Sequence, residues 1–228
     1  MSRVHDIGGR LGDGPVHPEP EDVAVFAEPW HARVLALTLA AGALGKWNLD
    51  QSRHQRECLS PKDYMRFSYY EKWLSGLANI LVFTGVVSCK ELRQRRSLTP
   101  ASALAARRLQ PEQVRKLLAS GASTLRDSTK PPQFPVGAGV VVSQPAENSL
   151  IPGGHSRLPA YVRGAKGIIL SYHGAHILPD SHAHGFGEAP EALYSVAFRH
   201  GSLWAGCKHP DDEVVIDIWQ SYLALSEP

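Results

Sequence analysis

The stretch Lys130–Val142, KPPQFPVGAGVVV, divides the chain into two textures. Its paired prolines deny a helix an interior and push the preceding residues toward extended backbone. Upstream, apolar side chains recur at helical spacing; downstream they come in short β-branched or aromatic runs. Phe134-Pro135-Val136-Gly137 leads into Val140-Val141-Val142, and Gly167–Leu170, Leu193–Phe198 and Val214–Trp219 follow. Short runs parted by Gly and Pro turns predict a small antiparallel barrel of SH3-like type, roughly 95 residues long. The expected fold class is α+β, with an extended arm over 1–28, a helical domain over 29–130 and the barrel over 131–228.

The helical part carries its own punctuation. Ala32–Leu44 is apolar almost all round and reads as a buried helix closing at Gly45. Its apolar run is too short to span a bilayer, which takes ~20 residues. Ser60-Pro61-Lys62-Asp63 is a helix start, with Tyr70, Trp73, Leu74, Leu77 and Leu81 at helical spacing behind it and Gly85 closing the element. A further helix over Pro111–Ser120 stops at Gly121. The arginines between Lys90 and Arg108 read as a solvated face. Residues 1–28 hold six acids against two basic side chains, with glycines and prolines throughout. Two readings stay open for them: a disordered tail, or an arm ordered by lying on a partner.

Composition bounds the function. The 228 residues carry a net charge of +2 and 43% hydrophobic residues, which suits a globular domain and argues against nucleic acid or an anionic membrane as partner. Cys58, Cys89 and Cys207 are odd in number and far apart, so neither a disulfide framework nor a thiolate metal site is expected. No secretory signal is expected at MSRVHDIGG, and a reducing cytoplasm is the natural compartment.

Catalytic templates are few. The chain has no GxSxG elbow, no GxGxxG after a strand, no GxxxxGK[ST] and no HExxH. His173, His176, His182 and His184 lie in what reads as a loop broken by Pro179, either bonded to backbone or ligating a metal. Two arginine-bearing stretches remain. On a helix beginning near Asp50, Arg53 and Arg56 share a face, close in sequence to Tyr69, Tyr70 and Trp73. These groups form a pocket, or else a core ringed by surface ion pairs. Arg157 sits in the loop GGHSRLPAYVRG, Gly153–Gly164, whose glycines and proline stiffen it. A guanidinium fixed in this way awaits an anion or a carboxylate-like oxygen, because its planar fork donates paired hydrogen bonds.

The same residues carry a resemblance. VHDIGG (Val4–Gly9), LDQSRH (Leu49–His54), SPKDY with SYYEKW (Ser60–Trp73), GHSRLPAYVRGAKG (Gly154–Gly167), ILPDSHAHG (Ile177–Gly185), LYSVAF (Leu193–Phe198) and DIWQSYL (Asp217–Leu223) together resemble the β subunit of nitrile hydratase. The likeness runs in order over nearly the whole chain. It implies one subunit of a hydro-lyase that turns nitriles into amides. The non-haem Fe(III) or non-corrin Co(III), cobalt being preferred here, is held by oxidised cysteines of an α subunit, and this chain binds no metal. The implied assembly is an αβ heterodimer or α2β2, with the arm embracing the partner. By motif, Arg53 and Arg157 match the arginines that hydrogen-bond the oxidised cysteines, Tyr69 the tyrosine facing the substrate, and Leu49, Ser52 and Trp73 pocket positions. Lys72 and Ser52 depart from the family's usual histidine and phenylalanine. Thiocyanate hydrolase assemblies split a similar chain into two subunits. A β-related metallochaperone and a stand-alone SH3-like interaction module are the alternatives.

Overall fold

The computed structural model describes residues 4–6, 17–99, 103–144 and 147–226. Of the expected arm, residues 1–3 and 7–16 lie outside the described residues, among them Ile7, Gly8 and Gly9 of the VHDIGG motif. Contacts divide the chain into two units, His17–Ala122 and a second formed by Ser123–Pro228 with Met1–Val16.

In the first unit, α1 (Pro29–Gly42), α2 (Leu49–Glu57), α3 (Pro61–Arg66) and α4 (Tyr69–Phe83) are followed by α5 (Cys89–Gln94) and α6 (Pro111–Ser120). The single helix expected behind Ser60 is two helices. Phe67 adopts extended backbone, and the Glu71 carboxylate accepts from the Ser68 amide at 2.7 Å. Ser68-x-x-Glu71 therefore starts a second helix by tying down an otherwise orphaned donor. Gly85 and Gly121 follow α4 and α6 with positive φ, as the sequence led one to expect. α1 packs on α4 and buries Val34, but Leu37 and Leu39 are exposed, so the described residues leave one side of the helix open. Among the described residues no helix is long and apolar enough to cross a membrane.

The second unit is a six-stranded antiparallel sheet. It contains β1 (Leu125–Arg126), β2 (Gly139–Val142), β3 (Lys166–His176), β4 (Glu191–Arg199), β5 (Glu213–Trp219) and β6 (Leu223–Leu225). The order is β5-β4-β3-β2-β6, with β1 paired to the far end of β3. Short helices α7 (Pro179–His182) and α8 (His200–Leu203) precede and follow β4. Four strands fall where the runs predicted. β1 and β6 are too short to show a period. Of the expected SH3-like barrel the described residues form the antiparallel sheet, without a ladder between β5 and β6; the 3-10 turn Gln220–Tyr222 joins these two strands through the chain itself.

Two register shifts in the β3–β4 ladder, between Ile169 and Ser171 and between Tyr172 and Ala175, are bulges that bend and twist the longer strand. Val140, Val142, Val162, Ile169, Tyr194, Val196, Phe198 and Ile218 form the core of this unit. The Tyr194 hydroxyl is satisfied there: it donates to Gln220 Oε1 at 2.9 Å and accepts from the Gln133 amide at 3.0 Å. His173 and His176, expected in a loop, belong to β3. They bond Ser195 and Thr124 respectively.

Candidate functional site

In the helical unit, α2 is built to present its side chains. Asn48 caps it, its carboxamide accepting from the Gln51 amide at 2.8 Å while Gln51 Oε1 accepts from the Asn48 amide at 2.9 Å. This reciprocal pair fixes the first turn, which carries Leu49, Asp50 and Ser52, with Arg53 opening the next. Arg53 donates through Nη1 to the buried Asp50 carboxylate at 2.9 Å. The guanidinium is thus aimed by a neighbour one turn back, and among the described residues its other donors are unspent.

Arg56 takes another direction. Its guanidinium lies 4.7 Å from the Trp73 ring centroid on α4. Its stem crosses Gly76, where an added Cβ would stand 2.6 Å from Arg56 Cγ. Burial lowers the pKa of Arg56, and the Arg53 charge adds to the effect. The shared face expected for the two arginines is therefore divided: Arg56 cements α2 to α4, and Arg53 is the one held toward its carboxylate.

Aromatic rings form one continuous group around the start of α4. Tyr69 lies 5.1 Å from Tyr70 and 5.6 Å from Trp73. His31 stacks on Tyr70 at 4.7 Å, and Phe26 stands 5.9 Å from the same ring. Tyr69 and Leu49 are exposed, while Ser52 and Trp73 are half-buried. Lys72 places its ammonium 4.3 Å from the Tyr64 ring centroid, an attraction suited to a cation over an aromatic face.

Arg157 belongs to the other unit. Its side chain is exposed and makes no hydrogen bond or ion pair with another described residue. Its backbone, by contrast, is tied down on both sides. The neighbours His155 and Leu158 are buried. The His155 amide donates to His184 Nε2 at 2.9 Å, and the Leu158 amide to Ser156 Oγ at 3.2 Å. Farther along, the Ala160 amide donates to both oxygens of Asp6, at 2.9 and 3.2 Å. An acid of the VHDIGG motif thereby caps the 3-10 turn at the end of the Arg157 loop. Gly154 has no room for a side chain: a Cβ would come 2.8 Å from both Asn148 Cγ and His184 Nε2.

Sequence reasoning passed over Asp6, Asp180 and Tyr222, although each lies inside a quoted motif. A polar residue in a run of apolar ones, as in DIWQSYL, was the available signal. Asp180 and Tyr222 are buried, and the Tyr222 hydroxyl donates to Asp180. Burial pushes the Asp180 carboxyl up to about 6 and Glu191 adds to this, while the Tyr222 bond and nearby His155 oppose it. The folded-state value lies above the ordinary 3.8, so the unfolded chain loses this proton first. Stability from this group is present at low pH and falls as pH rises through the interval between the two values. The urea midpoint of the wild type is expected to drop relative to Asp180→Asn between about pH 4 and pH 6.5. Parallel curves for the two proteins would remove the raised carboxyl from the account.

Among the described residues no three His, Cys, Asp or Glu side chains come together to hold a metal ion. The helical unit offers a guanidinium aimed by a carboxylate, with tyrosine hydroxyls beside an aromatic group; the sheet unit, taken by itself, offers a guanidinium on a loop tied down by hydrogen bonds.

Comparison with known proteins gives these donors a setting. The family profile described as "Nitrile hydratase beta subunit, N-terminal" matches residues 1–120, and that described as "Nitrile hydratase beta subunit, C-terminal" matches residues 123–225. The chain belongs to the nitrile hydratase β-subunit family. It is 36% identical to the nitrile hydratase subunit beta of Pseudomonas putida, over 98% of this chain and 99% of that one. It is 35% identical to the low-molecular weight cobalt-containing nitrile hydratase subunit beta of Rhodococcus rhodochrous, over 98% of this chain and 99% of the relative. It is 33% identical to the cobalt-containing nitrile hydratase subunit beta of Pseudonocardia thermophila, over 99% and 97% of the two chains.

Proposed function

We propose that this chain is the β subunit of a cytoplasmic nitrile hydratase, which adds water to small nitriles to give amides together with an α subunit. Arg53 and Arg157 donate to the oxidised cysteine oxygens that surround the metal of that partner. Tyr69 faces the substrate, and Leu49, Ser52 and Trp73 line its pocket. Cobalt is preferred over iron, because two of the similar relatives are named cobalt-containing. The sheet is read as an SH3-like barrel, residues 1–28 as an arm on the partner, and the assembly as αβ or α2β2. The exposed apolar side of α1, at Leu37 and Leu39, supports a partner that covers what this chain leaves open.

The observation that carries this reading is the Arg157 guanidinium, exposed and without an acceptor among the described residues, on a loop tied down by Asp6, His184 and Ser156. Sulfenate and sulfinate oxygens in a buried site are costly unless donors are already in place around them. Guanidinium forks supply those donors as charge-assisted pairs, and a loop held in advance loses little entropy when they form. The partner's metal supplies Lewis-acid chemistry when bound; the work of this chain is to orient its ligands and keep the pocket shaped.

Production of the chain alone and together with its α subunit tests the reading. Amide formation from a nitrile is expected from the joint preparation and not from the chain alone. Turnover by the isolated polypeptide would sink the assignment.

A further inference from the structure

Arg157 has a buried polar foundation that its proposed chemistry does not itself require. The Tyr222 hydroxyl donates to Asp180 Oδ1, and its oxygen lies 3.2 Å from Ser156 Oγ. Asn148 joins the two segments from the other side: its carboxamide nitrogen donates to the His155 carbonyl at 2.6 Å and to the Asp180 carbonyl at 2.9 Å. The residue immediately before the bearer of the guanidinium is therefore fastened to Tyr222, from the turn joining β5 to β6, and through it to α7.

This foundation is poor as a stabilising device. Asp180 is 1% exposed, and its Oδ2 has no hydrogen-bond partner among the described residues. Burying a carboxylate with one oxygen unmatched costs free energy that an apolar pair of the same shape would avoid. What a directed hydrogen bond adds over apolar packing is a fixed position and orientation for the backbone it holds. We infer that Tyr222 and Asp180 are positioning residues for Arg157, fixing the backbone of its loop so that the guanidinium meets its acceptor without searching. The inference rests on the reading of Arg157 given above, and deepens it by naming the residues that keep it in place.

The test compares the co-produced two-subunit complex as wild type, Tyr222→Phe, Asp180→Asn and the double variant Tyr222→Phe/Asp180→Leu. Steady-state kinetics, thermal midpoints and backbone hydrogen exchange of the 153–164 segment are read on each. Tyr222→Phe and the double variant are expected to lower kcat roughly 10–100-fold with KM little changed, as for residues that orient groups next to a metal. The 153–164 amides should exchange about tenfold faster in both. Asp180→Asn keeps an acceptor for the tyrosine and should restore kcat to within about threefold of wild type. The double variant removes both polar partners, so its thermal midpoint should stay near that of the wild type although its turnover falls.

Wild-type exchange in Tyr222→Phe and the double variant would overturn the inference. So would losses of kcat that simply follow the thermal midpoint, with Asp180→Asn as impaired as the rest. Arg157→Lys run in parallel separates the two levels. Unchanged turnover there defeats the arginine reading, and the exchange data alone then decide whether the loop is held by Tyr222 and Asp180.

Discussion

Replacing Arg157 by lysine in the two-subunit complex is expected to lower kcat about 100-fold or more, the usual scale for removing a preorganised donor from a site of developing charge. Lysine keeps the positive charge but not the planar fork, so it cannot give two parallel hydrogen bonds to a pair of oxygens. The change should be nearly silent in the folding of the chain. The Arg157 side chain is exposed and unbonded within the described residues, and the ties that hold its loop run through Ser156, Asp6 and His184. Unfolding midpoints should therefore move by no more than about 0.5 kcal/mol in equivalent stability. Full turnover in the lysine variant would withdraw the role from this residue. Arg53 gives a less clean experiment, since its bond to Asp50 also contributes to the shape of α2.

The sequence made the longer helices and most strands legible because they repeat, whereas the short helices α5, α7 and α8 show no such period. α6 announces itself by Pro111 and Gly121, and the β-branched runs mark β2, β4 and β5. Where a single local bond decided the outcome, the pattern was silent. The Ser68–Glu71 bond splits one expected helix into two although the apolar spacing runs on without a break. β1 consists of two residues recruited by register against Ala175 and His176, and two residues carry no period. The burial expected for α1 is met only at Val34 among the described residues, because apolar composition alone does not say which faces of a helix are covered.

Of the candidate site, the motifs were legible and their mutual fit was not. VHDIGG, GHSRLPAYVRGAKG, ILPDSHAHG and DIWQSYL lie far apart in the chain, yet Asp6, Ser156, Asp180 and Tyr222 converge on one loop. Sequence separation hides such contacts, whose partners are chosen by the sheet and not by local propensity. The aromatic group at Tyr69, Tyr70 and Trp73 was readable because its members are neighbours on one helix. The division of labour between Arg53 and Arg56 was not, since helical spacing gives a face but not the direction of a long side chain.

Phe198→Ala should cost about 3–5 kcal/mol of stability, the largest single-residue loss expected in the sheet, and a urea titration would measure it. Phe198 is 0% exposed on β4, where both faces of the strand are largely covered. Its ring lies over Gly167 of the neighbouring β3: a Cβ placed on that glycine would come 2.8 Å from Phe198 Cε1 and 2.8 Å from the Ala197 carbonyl oxygen. The glycine exists as the floor for the ring, so truncation to alanine leaves a void that Gly167 has no side chain to fill. Two flanking groups of the core, Val196 and Val140, are β-branched and stiff at χ1, which limits collapse into the space. Ile168, one residue along β3, is the control. It is as apolar as its neighbours but 54% exposed on the opposite face, so Ile168→Ala should cost no more than about 0.5 kcal/mol in the chain by itself. Equal losses at the two positions would mean that the β3–β4 register is shifted by one residue, since such a slip exchanges the buried and exposed faces of a strand.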